Sequence, residues 1–254
     1  MNERESLLAA TDAGHAEMYR WMARASSGTI VEQDGLLLVA GVHPDVSVAQ
    51  RLDGRLGPAE VIERALAFFD EHGLVCRIGM RAHADAELRE ALLLAGFERR
   101  FEETVMVLRE RPDPAKLHEG AVVRRVEDAA DVRDFARVCG EAFGAPEMAD
   151  RVFSETRSLV GPGLSAFVAY LSGEPASCAV ALAGAAVAGI FWVGTLEHAR
   201  RLGLGEALTR TTAIAAFDGG ASVVWLGASK MGESVYHLIG FEAISKYAEY
   251  AAQS

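Results

Sequence analysis

The stretch AGIFWVGTLEHARRLGLGEALTRTTAI, residues 188–214, decides how the rest of the chain is read. Gly189 to Val193 is apolar and rich in aromatic and β-branched residues, and it stops at Gly194-Thr195, as a buried strand does. A short polar turn leads into Arg200-Arg201-Leu202-Gly203-Leu204-Gly205. From there Ala207, Leu208, Thr211, Ile214 and Ala215 recur at helical spacing. Strand, basic glycine turn, helix is an order with a physical use. A helix N-terminus presents unpaired N–H groups and partial positive charge, which suits phosphate. Gly203 and Gly205 lack a Cβ, so the main chain can approach an anion or adopt angles closed to other residues. Arg200 and Arg201 add charge and donors. The stretch reads as a pyrophosphate cradle.

Two other cradles fail on the same letters. A Walker loop needs Lys after its last glycine, where Glu206 stands. The dinucleotide fingerprint needs a third small residue where Leu208 stands. What fits is Arg-x-x-Gly-x-Gly at Arg200, Gly203 and Gly205, after a strand ending Val-x-Thr. Downstream, Ser222 to Gly227 reads as a second buried strand, ended by Ala228-Ser229. Gly232 to Ile239 reads as a short helix with Val235, Leu238 and Ile239 on one face, closed by Gly240. Phe241 opens the final strand. The first motif resembles the acyl-CoA-binding motif of the GNAT superfamily of N-acetyltransferases. The string SKMGESVYHLIGFE (229–242) resembles that family's closing signature, with Tyr236 four residues before Gly-Phe. The resemblance spans roughly Val122 to Tyr250.

The chain has 254 residues, half of them hydrophobic and a quarter charged, as ordinary globular proteins have. No apolar run is long enough to span a bilayer, and the N-terminus carries no signal-peptide core. Cys76, Cys139 and Cys178 are odd in number and widely spaced. They form no disulfide framework and no metal-ligand spacing, which points to a reducing cytoplasm. A net charge of −11 disfavours nucleic acid. No membrane partner is expected, and a homodimer is left open.

The first 110 residues read as a mixed α/β unit. Glu5 to Ala25 is helical, with Leu7, Leu8, His15, Met18 and Trp21 as candidate buried positions. Thr29–Glu32 and Leu36–Ala40 form a hairpin turned at Gln33-Asp34-Gly35. A helix begins at Pro58, with Val61, Ile62, Ala65, Leu66 and Phe69 inward. Leu74–Ile78 is a strand, Asp85 caps a helix ending at Gly96, and Phe101–Leu108 is another strand. Helix, strand, helix, Gly-Phe-Glu, strand thus occurs at 58–108 and again at 202–252, ending on Gly96-Phe97-Glu98 and on Gly240-Phe241-Glu242. The first copy lacks the cradle. Its turn reads Leu52 to Gly57, with Arg55 in the place of Gly203, and Leu92 stands in the place of Tyr236. Pro112 and Pro114 suit an exposed linker. The second half should run strand Val122–Val126, a helix capped by Asp128, a helix over Pro146–Leu159, and strands Ser165–Leu171, Ser177–Leu182 and Ala186–Thr195.

The fold expected is therefore α/β (α+β), two GNAT-like domains, each a mixed, mostly antiparallel twisted sheet flanked by helices. The boundaries expected are 1–112 for a degenerate N-terminal domain, 113–118 for a linker and 119–254 for the acetyltransferase domain. The resemblance implies that a primary amine, on a small molecule or a peptide, attacks the thioester of acetyl-CoA directly in a ternary complex, with no metal. It assigns the pantetheine arm to Val193, Gly194 and Thr195, and the pyrophosphate to Arg200, Arg201, Leu202, Gly203, Leu204, Gly205, Glu206 and Ala207. Ser229 stands where many members carry an Asn that bonds the pantetheine arm, and it reaches less far. Tyr236 is the general acid for the departing thiolate. Members often carry a Glu on the central strand as base, where this chain has Phe191 and Trp192. Glu141, Glu147, Glu197 and His198 are solvated candidates, and none is preferred. Cys139 and Cys178 sit in apolar runs, as core thiols do. The alternatives are a non-catalytic acyl-CoA-binding regulator and a tandem enzyme of the mycothiol-synthase kind.

Overall fold

The computed structural model describes residues 2–184 and 186–253. In chain order its elements are α1 (Glu3–Ala25), β1 (Thr29–Gln33), β2 (Leu36–Ala40), β3 (Val48–Arg51), α2 (Pro58–Glu71), β4 (Arg77–Arg81), α3 (Ala86–Leu94) and β5 (Glu98–Leu108). There follow β6 (Ala121–Arg125), α4 (Ala129–Phe143), α5 (Pro146–Val152), β7 (Leu164–Leu171), β8 (Glu174–Ala183) and β9 (Val187–Thr195). The chain closes with α6 (Leu204–Asp218), β10 (Val223–Ala228), α7 (Glu233–Ile239) and β11 (Glu242–Ala251).

The chain forms two compact units that are not contiguous in sequence. The first comprises Met1–Val105, Gly227–Met231 and Ala243–Ser254; the second comprises Met106–Leu226 and Gly232–Glu242. The boundaries read from sequence, 112 and 119, follow the linker prolines instead. Nothing in a linker reports that a later strand pairs elsewhere, and β11 does so.

Strands of the first unit lie in the order β1-β2-β3-β4-β11, with the N-terminal part of β5 beyond β11. β1–β2, β2–β3 and β4–β11 are antiparallel, and β3–β4 is parallel. The β1–β2 hairpin turns on Asp34 (φ 52°) and Gly35 (φ 77°), the two left-handed residues that match strand twist. One face of this sheet is apolar: Leu36, Ile78 and Ala248 pack with Val61 and Phe69 of α2 and Leu88 and Leu92 of α3. Each large side chain there contributes roughly 1.5–3 kcal/mol. α2 turns Phe68 inward and leaves Leu66 42% exposed, so the apolar stripe is offset from the expected one. The expected strand at Leu74–Ile78 lies three residues further on, because the turn after α2 takes up Leu74 and Val75. β3 is not among the strands that the sequence pattern predicts. All four of its residues are buried, Gln50 and Arg51 included, and buried polar residues give no apolar run.

The second unit orders its strands β10-β9-β8-β7-β6, antiparallel except for β9–β10. Asp128 caps α4, accepting from the N–H groups of Ala130 (2.7 Å) and Asp131 (3.0 Å). The face Val132, Phe135, Ala136, Val138 and Cys139 is buried as the spacing requires. α5 ends at Val152 and a 3-10 turn at Thr156–Ser158 follows, so the helix expected to Leu159 is shorter. Leu208 of α6 packs with Phe167, Ala169 and Ala179 of β7 and β8.

Both copies of the repeated element order close alike. Gly96 (φ 81°) and Gly240 (φ 112°) end α3 and α7 in the left-handed conformation. Phe97 N–H donates to Leu92 O (2.9 Å) and Phe241 N–H to Tyr236 O (3.0 Å), with both phenylalanines buried. In α7 the inward residues are Tyr236 and Ile239; Leu238, expected inward, is 75% exposed.

The place of β11 predicts how a truncation behaves. β11 pairs with β4 from Tyr247↔Arg81 to Ala251↔Arg77. Residues 119–254 alone would keep β11 and lose β4, exposing an apolar strand edge together with Tyr247 and Tyr250, which are 2% and 4% exposed. That fragment is expected to be insoluble or inactive. Size-exclusion chromatography and circular dichroism of the expressed fragment check this, and a monomeric, folded, active fragment would contradict it.

Candidate acyl-donor site

β9 and β10 run side by side only from Val187↔Val223 to Ile190↔Leu226. Past Ile190, β9 pairs among the described residues with β8 alone, Gly194 opposite Cys178 and Thr195 opposite Ser177. Between Phe191↔Val180 and Gly194↔Cys178, β9 carries one residue more than its partner. Trp192 sits in this bulge at φ 55°, a costly conformation for a bulky residue. Phe143 and Phe153 meet its ring edge-on, with centroids 5.4 and 6.1 Å away, and this packing offsets the strain. The consequence is a strand end with one free edge, whose N–H and C=O groups need a partner.

The strand end is fastened on its β8 side. Ser177 Oγ donates to Gly194 O (2.6 Å) and accepts from Thr195 Oγ1 (2.8 Å). Arg200 Nε returns to Thr195 O (3.2 Å). Then Arg201 (φ 64°) and Gly203 (φ 77°) bend the chain into α6. The two glycines have different reasons. Gly203 is the N-cap in a left-handed conformation, and a Cβ there would meet open space. At Gly205 φ is not left-handed and a Cβ would lie 3.4 Å from Thr195 Oγ1, an ordinary contact, so the protein's own packing does not require glycine there and the lack of a Cβ leaves the first turn open to a ligand. The first helical donor inside α6 is Ala207 N–H, to Gly203 O (2.9 Å). The N–H groups before it point out of the helix end. Arg201 is exposed, and the Glu206 carboxylate is drawn off by Arg210 Nε (2.9 Å). The open strand edge at Val193–Thr195 and the open helix end at Gly203–Glu206 thus follow one another in the chain, an order suited to an amide-bearing chain followed by an anion.

The matching turn of the first unit is chemically opposite. Asp53 stands there, and Arg55 beside it holds its carboxyl below the usual range through bonds of 2.9 and 3.0 Å. The ends of the parallel pair β3–β4 are tied together. Arg51 and Arg81, their last residues, both donate to Asp85 (2.7 and 2.8 Å), which is fully buried. Asp85 stands eleven residues before its Gly-Phe-Glu string, as Ser229 does before the other. Removing one partner from such a cluster costs about 3–5 kcal/mol. So where β9 and β10 diverge, β3 and β4 are locked.

Ser229 is exposed at the end of β10, in a segment belonging to the first unit. Tyr236, in the second unit, is 9% exposed and stands edge-on to Phe241, centroids 5.9 Å apart.

Solved structures now bear on this geometry. A GCN5-related N-acetyltransferase from Kribbella flavida superposes with a TM-score of 0.74, over 94% of this chain and 95% of that one, at 18% identity. The fold is that of the GCN5-related N-acetyltransferases. A second such protein, from Sphaerobacter thermophilus, gives 0.65 over 86% of this chain and 80% of that one, also at 18% identity. A tandem GNAT protein from the clavulanic acid biosynthesis pathway gives 0.60 over 85% and 78%, at 15% identity. No family model and no curated protein matches the sequence.

Within this GNAT fold β9 lies between β8 and β10, and its Phe191 and Trp192 occupy the stretch where the resemblance expects a Glu. Glu141, Glu147, Glu197 and His198 are all exposed. Cys139 and Cys178 are buried; burial, and then the neighbouring Cys178, push the Cys139 thiol well above its usual range, which leaves it unreactive. Among the described residues no three His, Cys, Asp or Glu gather as a metal-ligand set, and no helix is long and apolar enough to cross a membrane.

Proposed function

We propose that this chain is an acetyl-CoA-dependent N-acetyltransferase that acylates a primary amine by direct attack in a ternary complex. The observation that carries the reading is the unpaired edge of β9 past Ile190, running straight into the left-handed Gly203 and the open first turn of α6. An extended amide chain would add to the free edge at Val193–Thr195 as an extra strand does. A pyrophosphate would take the α6 amides with Arg200 and Arg201. Bound acetyl-CoA supplies an activated thioester. The amine nitrogen bonds to the acyl carbon as the C–S bond breaks, Tyr236 gives the sulfur its proton, and the nitrogen sheds its surplus protons to solvent. The first unit holds no acyl-CoA in this reading, because Asp53 and the Arg51–Asp85–Arg81 cluster occupy the corresponding places. A cytoplasmic setting fits the three free thiols.

A non-catalytic acyl-CoA sensor is the second reading, favoured by the tight packing of Tyr236 on Phe241. One experiment separates the two. Acetyl-CoA is titrated calorimetrically, and thiol release is then followed with a panel of primary amines. The enzyme reading expects binding with amine-dependent release. Binding with no release from any amine would favour the sensor, and no binding would refute both.

A further inference from the structure

The segment between β5 and β6, whose prolines suit an exposed linker, is fastened along α6. Arg111 grips Asp218, the last residue of α6, through two bonds (2.8 and 3.2 Å). About two helical turns nearer the start of α6, Arg210 Nη1 donates to Asp113 O (3.3 Å) and its Nη2 to Leu238 O (3.3 Å). Pro112 is buried, and with Pro114 it stiffens the chain here. The segment is therefore a strap that runs antiparallel to α6 and brings Pro114, Ala115 and Lys116 to the N-terminal end of the helix. There they line an open cleft of about 450 Å³ together with Asp113, Gly203, Glu206 and Arg210. The last three stand three and four residues apart, on one face of the helix. Every residue of the strap and the cleft belongs to the second unit.

The charges of the cleft are unequally committed. The Glu206 carboxylate is taken by Arg210 Nε (2.9 Å), and Asp113 acts on Arg111. Lys116 is exposed, and among the described residues no carboxylate pairs with it. A compact ammonium with three donors, at the rim of such a cleft, suits a phosphate oxygen. The cleft begins at Gly203, where the pyrophosphate of an acyl donor would lie, so it would receive the part of the donor beyond the pyrophosphate. Its volume is that of a small-molecule site, and Pro114 and Ala115 offer an apolar wall to a base.

We propose that Lys116, delivered by this strap, holds the 3′-phosphate on the donor's adenosine and so selects CoA over its 3′-dephospho form. The inference rests on the acyl-CoA reading of the cradle and names the group that the linker recognises. Its test uses the full chain and two ligands that differ in that phosphate alone. In calorimetric titration, wild type is expected to bind CoA at least about 5-fold more tightly than 3′-dephospho-CoA, as one charge-assisted hydrogen bond at a screened, exposed site would give. Lys116→Met should bind CoA as weakly as wild type binds dephospho-CoA, bind dephospho-CoA as wild type does, and melt at the wild-type temperature. Lys116→Arg should keep the preference. Equal affinity of wild type for the two ligands would overturn the proposal. So would a loss in Lys116→Met that is the same for both, because such a loss marks a charge acting on the pyrophosphate. Failure of wild type to bind either ligand would remove the acyl-CoA reading itself, and this inference with it.

Discussion

Gly203→Asp is expected to abolish CoA binding in a calorimetric titration, with an affinity loss of about 100-fold or more, while the protein stays folded. Two features make the expectation sharp. The site is at φ 77°, where Asp is better tolerated than most residues, and a new Cβ meets no atom within 4 Å. The backbone strain is thus confined to one residue and no neighbour has to move. The carboxylate, however, would stand at the N-cap of α6, within reach of the amides that would otherwise hold the pyrophosphate. It would satisfy those donors itself and repel phosphate, and like-charge juxtaposition costs several kcal/mol. Gly57→Asp is the internal control. Gly57 caps α2 at φ −70° and ψ 162°, an extended geometry in which Asp is a favoured N-cap. That variant should bind CoA as wild type does. Equal losses from the two changes would refute the assignment of the donor site to the second unit.

Much of this architecture was legible because it depends on local chemistry. The Gly-Phe-Glu strings mark two helix ends because a left-handed helix terminus favours glycine, and in both copies the apolar residue after it is buried. The cradle could be read because its glycines and arginines sit within six consecutive residues. What stayed hidden depends on pairing across long stretches of chain. β3 is a four-residue strand whose Gln50 and Arg51 look like surface residues, and only Asp85, thirty-four positions on, explains a buried Arg51. Similarly, β11 is an ordinary strand in sequence, and its membership in the first unit rests on β4, far upstream.

The same distinction separates the cradle from the pairings inside the first unit. A phosphate cradle is built by one turn and one helix end, so a motif can announce it. Glu103 and His15 lie eighty-eight residues apart in sequence, neither in a motif. His15 is legible as a buried position of α1, but nothing local says that its partner is a carboxylate. Glu103 gives no signal of its own, because the first half of β5, Glu98 to Glu103, is charged at every position but Phe101 and reads as a solvated edge.

Tyr236→Phe separates chemistry from packing on α7. The substitution removes one oxygen and keeps the ring, which is 9% exposed and stands edge-on to Phe241. The stability and the CoA affinity of the variant should therefore change little. If the phenol protonates the departing thiolate, its loss removes a general acid, and kcat should fall by about 100-fold or more. The fall should appear equally in kcat/KM, because the proton is shared only as the C–S bond breaks and not in the ground state. The thiol of CoA is itself a fair leaving group, so solvent that reaches the sulfur would shrink the effect, and the threshold must be set with this in mind. A variant that keeps more than about half of wild-type kcat with every accepted amine would end the catalytic assignment, since such a change is under about 0.5 kcal/mol in the barrier. A loss in KM for acetyl-CoA with kcat unchanged would instead mark Tyr236 as a wall of the donor site. The expected result is the first: a stable protein that binds its donor normally and transfers the acetyl group slowly.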